Sequence, residues 1–593
     1  MADFAPKRSM AECDAILTAP GAPFELQHVV IRGVVQRVYK NAPDSLRTLF
    51  LGSAQEFSAR DYIVFESERY TFGKAFARAS RLASIFRQVY GIRKGDRVAL
   101  VMRNYPEWLI SFWAIHLLGA VSVLVNAWLP AKIVSHCIVH TESKLIVMDA
   151  EQADNLAPIL AKTKKDAGAT GVLVARAHDG RHSWKKHAES FEAVMDKYHA
   201  IDPKSWEKEP ACHPEDGATI YFTSGTTGLP KGVYLTHRAI ISACFVMIVA
   251  SMRTALRLGQ DIPEPEATQL SYLLPVPLFH CTGSCSTSIP STLFGGKIVL
   301  MRKWDASQGL DIIEKEKITN TGGVPSIAMD LLAEKDFERR GASLVALVYG
   351  GTTSPPQIAE KVGRLPGTLT NGQGYGLTET TGAMSAVIGE DSIARPRAAG
   401  YPALVADILI MDPKTGKSLP RGEVGEIWIR SSQVMVGYWK NPEATNRVLT
   451  KDGWFNSEDL GSMDEDGFLY VHGRVKDLII RGGENIDVVG VENALYGDDR
   501  VSLCAVVGVP DARLGELPAA VVYLRPNARA TEQELIESVR SHLPAFAVPV
   551  MIMFSKERFE VNAAGKILKS VLKEKAKREW ERRGGRVAAK GRL

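Results

Sequence analysis

The chain reads as an α/β protein: a large N-terminal domain of layered α/β subdomains, a β-barrel-like piece, and a small α+β C-terminal domain. Three observations predict this. Short apolar runs of strand length alternate with helical periodicity from about residue 60 to 350, the pattern of a parallel sheet covered by helices. From Leu404 onward the pattern changes to strands separated by turn clusters. The chain has 593 residues, and single cores stop growing near ~250–300, so more than one domain is expected.

Taken in order, residues 1–55 are a lead-in of mixed pattern. Residues 60–98 carry helical periodicity in Phe76, Ala79, Leu82, Ala83 and Phe86, and predict a helix. Val98–Met102 is a buried-strand pattern, and Pro106-Glu107-Trp108 opens a helix that stops at Gly119. Strands follow at Val121–Val125, Leu145–Met148, Ala218–Phe222, Ile298–Met301 and Leu344–Tyr349. Asp407–Met411 and Gly425–Arg430, split by Pro413-Lys414-Thr415-Gly416, predict the antiparallel or barrel-like piece. Val475-Lys476-Asp477 stands between two strand patterns. Helices are expected around 487–497, 531–542 and 566–582. The boundaries that result are 1–55, 56–475, 476–580 and a basic tail at 581–593.

Composition narrows the class. With 45% hydrophobic and 23% charged residues, the chain is ordinary for a soluble globular protein. Its net charge of +5 is concentrated between Lys573 and Arg592, which reads as a solvated helix end and not as a nucleic-acid site. Seven scattered cysteines without framework spacing suit a reducing compartment. His280-Cys281 and Cys285 lack a second ligand pair of zinc spacing. No uninterrupted apolar run of 18 residues occurs, so no transmembrane helix is expected. Met1–Arg8 lacks the apolar core of a secretory signal. The expected location is cytoplasmic, and the terminal Gly591-Arg592-Leu593 loosely resembles a Ser-Lys-Leu peroxisomal address.

The chemistry starts at Thr223-Ser224-Gly225-Thr226-Thr227-Gly228-Leu229-Pro230-Lys231, which follows the strand pattern Ala218–Phe222. Glycines let backbone N–H groups approach an anion, four hydroxyls add donors, and Lys231 adds charge. The composition is that of a polyphosphate cradle; the alternative is a flexible surface turn. It is not a Walker A loop, because Pro230 precedes the lysine and Gly232 follows it. Four more stretches follow. Asn371-Gly372-Gln373-Gly374-Tyr375-Gly376-Leu377-Thr378-Glu379 reads as a second Gly-rich turn. Gly453–Asp459, Gly473–Asn485 and Asn562-Ala563-Ala564-Gly565-Lys566-Ile567 complete the set.

In this order and spacing, the five stretches resemble the adenylate-forming superfamily of acyl-CoA synthetases, luciferases and peptide-synthetase adenylation domains, over about residues 60–575. The variety most resembled is the acyl-CoA synthetase, 4-coumarate:CoA ligase-like. One departure is Glu560-Val561-Asn562, where the family often carries Pro and a basic residue. The resemblance implies an AMP-binding N-terminal domain and a mobile C-terminal domain that swings between two half-reactions. In the first, a carboxylate attacks the α-phosphate of ATP, giving an acyl-adenylate and pyrophosphate. In the second, a thiol displaces AMP.

Residue roles follow from the resemblance. Thr223, Ser224, Gly225, Thr226, Thr227 and Gly228 would hold the β- and γ-phosphates, with Lys231 in support. Thr378 would donate to the α-phosphate, and Glu379 would ligate Mg²⁺, which takes hard oxygen donors. Asp459 would accept the ribose hydroxyls, and Arg474 would help on the ribose or phosphate side. Gly350, Gly351 and Thr352 resemble the adenine-contacting turn, and Tyr375 would stack on the base. Lys566 would catalyse adenylation. Lys476 resembles the hinge, and Gly482, Gly483 and Glu484 the face used with coenzyme A. His280 would border the acyl pocket.

Small neutral residues after it (Cys281, Thr282, Gly283, Ser284), with no carboxylate to pair an ammonium, predict an uncharged acyl or aryl acid. The chain past Lys566 is too short for a carrier domain, which favours free coenzyme A. The partners expected are thus ATP, Mg²⁺, coenzyme A and a small carboxylic acid, without nucleic acid, and with a homodimer as an option. The competing outcomes are a luciferase-like or carrier-loading enzyme, or a catalytically weak nucleotide-binding relative.

Overall fold

Two large mixed sheets, one four-stranded antiparallel sheet and a separate C-terminal sheet organise the structure, a computed structural model that describes residues 4–223, 229–262, 268–352, 354–365, 369–482, 484–561 and 566–585. In the eight-stranded sheet, Arg97–Val101, Val121–Leu124, Leu145–Asp149 and Gly171–Ala175 are parallel and almost wholly buried. Such continuous apolar strands are what a sheet covered on both faces requires. Pro106–Leu117, buried at every position, is one of its covering helices. Gly217–Thr223 lies parallel to Val121–Leu124 and antiparallel to Lys231–Thr236. The two ends of the Gly-rich segment, Thr223 and Lys231, therefore lie on neighbouring antiparallel strands. Ser224–Gly228 lie outside the described residues.

The nine-stranded sheet corrects two expectations. The helix expected over 60–98 begins only at Phe72 and ends at Gln88, capped by the Thr71 side chain. Before it, Asp61–Phe65 and Glu68–Thr71 pair as a hairpin. Tyr62, Ile63, Val64 and Phe65 are buried consecutively, a strand signal that the adjoining helical periodicity obscures. The second expected Gly-rich turn is a strand, Thr370–Leu377, parallel to Ala346–Gly350 and antiparallel to Gly382–Ile388. Its glycines serve close approach. A Cβ on Gly376 would stand 1.7 Å from the Gly382 carbonyl oxygen, and one on Gly374 would stand 2.9 Å from that of Ser385.

The barrel-like piece is the antiparallel sheet of Ala406–Met411, Gly425–Ser431, Phe455–Met463 and Leu469–Arg474. The C-terminal α+β unit has helices Val488–Tyr496, Glu532–Arg540 and Lys569–Arg582 around a sheet centred on Val501–Asp511 and Gly515–Leu524. The lead-in holds helix Met10–Thr18, hairpin Leu26–Tyr39 and helix Leu46–Glu56.

The stretch His237–Arg257 is long and apolar enough to cross a membrane by length and composition, with mean hydropathy 2.0. Its last turns carry Arg253 and Arg257, both buried and paired with Asp14 and Asp391. Those partners come from two other parts of the chain, so in this fold the stretch is a core element.

Two buried histidines meet where this stretch begins. The rings of His116 and His237 stand 5.8 Å apart edge-to-face. His237 Nδ1 accepts from the Leu46 N–H at 3.2 Å, while His116 Nδ1 and His237 Nε2 have no hydrogen-bond partner. Burial pushes His237 down to about 4 and holds His116 well below 6.5. Both are neutral at pH 7, whereas the unfolded chain protonates them near 6.5, so stability falls as pH drops from 6.5 to 4. His237 alone is expected to contribute about 3 kcal/mol of that loss. Urea unfolding at pH 7 and 4.5 checks this, and His237→Asn should flatten the slope by that amount.

Candidate active site

The strand pair Gly217–Thr223 and Lys231–Thr236 fixes the two ends of the Gly-rich segment. Thr223 stands directly opposite Lys231, and its Oγ1 donates to the Lys231 carbonyl oxygen at 3.4 Å. Lys231 does not project into solvent. Its Nζ lies 4.0 Å from the ring centroid of Tyr438, on the strand Gly437–Tyr438 that pairs beside it. The Tyr438 hydroxyl donates to Glu379 Oε1 at 2.8 Å, and the Met435 N–H donates to the Glu379 carbonyl oxygen at 2.9 Å. Glu379 and Thr378 sit on a 3₁₀ turn, Thr378–Thr380, that follows the strand Thr370–Leu377. Lys231 and Glu379 thus meet the same phenol, the lysine at the ring face and the acid at the hydroxyl.

Asp459 and Arg474 face each other across neighbouring strands of the antiparallel sheet. Arg474 Nε is 3.5 Å from Asp459 Oδ1, and the Tyr375 hydroxyl donates to Oδ2 at 2.8 Å. Burial raises the Asp459 carboxyl above the usual aspartate range; Arg474, Tyr375 and Lys566 oppose that rise.

Lys566 comes from the C-terminal domain and reaches this group. Its Cε is 3.9 Å from where a Cβ on Gly351 would stand, and Gly351, with φ +81°, ends the strand Ala346–Gly350. Burial lowers the Lys566 ammonium below its ordinary 10.5, Arg474 adds to the lowering, and Asp459 and Glu379 oppose it. His280 belongs to the same cluster: burial, then the Lys566 charge, pushes it down to about 4. The imidazole is neutral, packs on Phe279 at 4.9 Å, and leaves its Nε2 without a hydrogen-bond partner. An orphaned buried nitrogen beside a lysine and an open glycine turn is a site shaped for a polar ligand.

The structure therefore brings together Lys231, Gly351, Tyr375, Glu379, Asp459, Arg474, Lys566 and His280, with Thr378 on the turn that carries Glu379. Lys476 lies apart, on the exposed turn Val475–Asp477 between Leu469–Arg474 and Ile479–Arg481. Gly482 and Glu484 sit exposed on the next hairpin, with Gly482 against Leu514; Gly483 lies outside the described residues, as do Asn562–Gly565.

One residue was missed by sequence reasoning. Tyr438 joins the lysine and the acid; the one local sign was an aromatic pair after a glycine, Gly437-Tyr438-Trp439. On the segment after His280, burial pushes the Cys281 thiol well above 9.0.

Comparison with known proteins is consistent along the chain. The AMP-binding enzyme family model matches residues 50–439, and the AMP-binding enzyme C-terminal domain model matches residues 490–566. A feruloyl-CoA synthase of Amycolatopsis sp is 32% identical over 503 residues, covering 84% of this chain and 92% of the relative. The long-chain-fatty-acid–CoA ligase FadD13 of Mycobacterium tuberculosis is 32% identical over 508 residues, covering 85% and 93%. The crystal structure of the anthranilate CoA ligase AuaEII, in complex with anthranoyl-AMP, shares the fold with a TM-score of 0.78, 22% identity and coverage of 91% and 98%.

Proposed function

The chain belongs to the AMP-binding enzyme family, and from that premise we propose that it is an AMP-forming acid:coenzyme A ligase acting on an uncharged acyl or aryl acid. The observation that carries this reading is Lys566, delivered by the C-terminal domain against Gly351 and beside Asp459, Arg474, Glu379 and His280. A buried ammonium among groups of both signs suits a reaction between two anions, in which positioning and charge neutralisation are most of what a protein can supply.

In the first half-reaction, a carboxylate oxygen of the acid attacks the α-phosphorus of ATP, and the bond to pyrophosphate breaks. Lys566 offsets the charge that builds between the two. Thr378 donates to the α-phosphate, and the Thr223–Gly228 loop and Lys231 hold the phosphates that leave. Asp459, oriented by Tyr375 and Arg474, takes the ribose hydroxyls, and the Gly350–Thr352 turn takes the base. Glu379 fits Mg²⁺: Tyr438 occupies one of its oxygens, and the other is a hard donor. The ion supplies charge neutralisation on the phosphates. In the second half-reaction the thiol sulfur attacks the acyl carbon, the bond to AMP breaks, and the thiol proton is released. Lys476 is the hinge between the two, and the Gly482–Glu484 face serves the thiol.

Neutral small side chains after His280 support an uncharged acid, and both aryl and long-chain acids appear in the relatives' names. All seven cysteines are free and buried, which supports a reducing, cytoplasmic compartment.

The test is a panel of acids of rising chain length and ring size. Acid-dependent ATP–pyrophosphate exchange without coenzyme A is expected for part of the panel, and a thioester plus AMP when coenzyme A is added. Exchange without any thioester would overturn the choice of acceptor, and no exchange with any acid would overturn the ligase reading.

A further inference from the structure

Lys566 stands next to a short antiparallel bridge. Val561 and Ile567 form an antiparallel bridge, and the Leu568 N–H donates to the Glu560 carbonyl oxygen at 3.0 Å. Arg558 lies just before this bridge. Among the described residues, its ion-pair partner lies in the other domain. Its Nη2 donates to Asp330 Oδ1 at 2.6 Å, and its Nη1 is 3.5 Å from Oδ2. Asp330 belongs to the N-terminal domain, on the helix Pro325–Ala333, which packs against the strand ending at Gly350. The carboxylate is oriented from behind, because Trp304 Nε1 donates to Oδ2 at 3.2 Å. Its side chain is only 19% exposed, against 53% for Arg558. A fixed carboxylate on one domain thus meets a reaching guanidinium on the other, eight residues before Lys566 in the chain.

We propose that Asp330 and Arg558 form a latch that positions Lys566 for adenylation and opens when the C-terminal domain turns for thiol transfer. The inference rests on the two-step ligase reading above. Neither residue touches the reacting atoms; both act through the placement of Lys566. A fork-to-carboxylate geometry suits the role because it fixes direction as well as distance. A partly exposed ion pair is also weak enough to release on each turnover: such pairs shift an equilibrium by at most about fivefold.

The experiment uses the full chain and measures the half-reactions separately: acid-dependent ATP–pyrophosphate exchange without coenzyme A, and thioester formation from a supplied acyl-adenylate. Asp330→Asn, which keeps the shape and an acceptor for Trp304, is expected to slow exchange about threefold to fivefold and to leave thioester formation unchanged or slightly faster. Arg558→Ala should do the same, and the charge-exchanged pair Asp330→Arg with Arg558→Asp should recover exchange. Equal loss in both half-reactions would mark a merely structural pair and overturn the latch. Unchanged exchange in Asp330→Asn would overturn it too, while leaving the ligase reading intact. If the unaltered protein shows no exchange with any acid, the ligase reading and the latch fall together.

Discussion

Replacing Lys566 with alanine is expected to lower acid-dependent ATP–pyrophosphate exchange about 10²–10³-fold, the loss typical of removing one oriented group that meets charge as it develops. The reasoning is local. Lys566 stands beside Gly351 and feels the charges of Arg474, Asp459 and Glu379. Its ammonium is buried, so its charge acts where water screens it little. Thioester formation from a supplied acyl-adenylate should change less than about twofold, because that step does not use the lysine. The same burial sets a pH limit. The ammonium form is present below the folded pKa and lost as pH rises through it, and that pKa lies below 10.5. Exchange should therefore decline on the alkaline side earlier than a free lysine would dictate. Undiminished exchange in Lys566→Ala would end this assignment.

Asp391→Ala is expected to destabilise the N-terminal domain by about 3–5 kcal/mol, the usual cost of leaving one partner of a buried ion pair uncompensated. Asp391 accepts from Arg257 Nε at 2.5 Å and Nη2 at 2.9 Å, and Arg395 Nη1 adds a contact at 3.1 Å. The side chains of Arg257 and Asp391 are 4% and 2% exposed. Without the carboxylate, Arg257 keeps the Arg8 carbonyl oxygen, at 3.0 Å from its Nη1, and stays buried with its charge unmatched. Against a typical total of about 5–15 kcal/mol, that loss is large. Asp391→Asn, which retains shape and one acceptor, should fall between. Urea midpoints of the three proteins check the order, and a shift under about 1 kcal/mol for Asp391→Ala would refute it.

Four strands of the eight-stranded sheet were legible because they are buried and apolar almost throughout, as in Leu145–Asp149, whereas Gly171–Ala175, equally buried, was not singled out, nor were the edge strands Glu189–Ser190 and Gly437–Tyr438 and the strand Lys231–Thr236. The helices at Val488–Tyr496, Glu532–Arg540 and Lys569–Arg582 were legible from their periodicity. The hairpin over Asp61–Thr71 was not, because a short strand leading straight into a strongly periodic helix shares its apolar residues with the helix pattern. Thr370–Leu377 has the composition of a turn, and only its pairing partners reveal why a strand needs those glycines.

The site was legible as a set of stations along the chain but not as an arrangement. Tyr438 and Glu379 are 59 residues apart, and Arg558 and Asp330 are 228 apart. No local rule connects residues across such distances; they meet because sheets and domains fold back on one another. Lys566 shows this most clearly. In sequence it begins a basic helix end, and only the folded structure puts it among Asp459, Arg474 and Glu379.

The glycine strand Thr370–Leu377 bears on how this enzyme could acquire new substrates. A Cβ on its partner Gly382 would come 3.0 Å from Ser286 Oγ and 4.0 Å from Cys281 Cβ, so the strand pair packs directly against the segment after His280. On the strand side, Gly376 and Gly374 have carbonyl oxygens where a side chain would start, and backbone cannot step aside as a rotamer can. On the other side, Gly283 is held the same way, 2.3 Å from the Pro277 carbonyl oxygen, but Cys281, Thr282 and Ser284 already carry side chains that can be exchanged for larger or smaller ones. On the proposed reading, in which the segment after His280 borders the acid, diversification is one-sided: the strand is frozen by main-chain contact, and a change in the acid accepted has to be written on that segment.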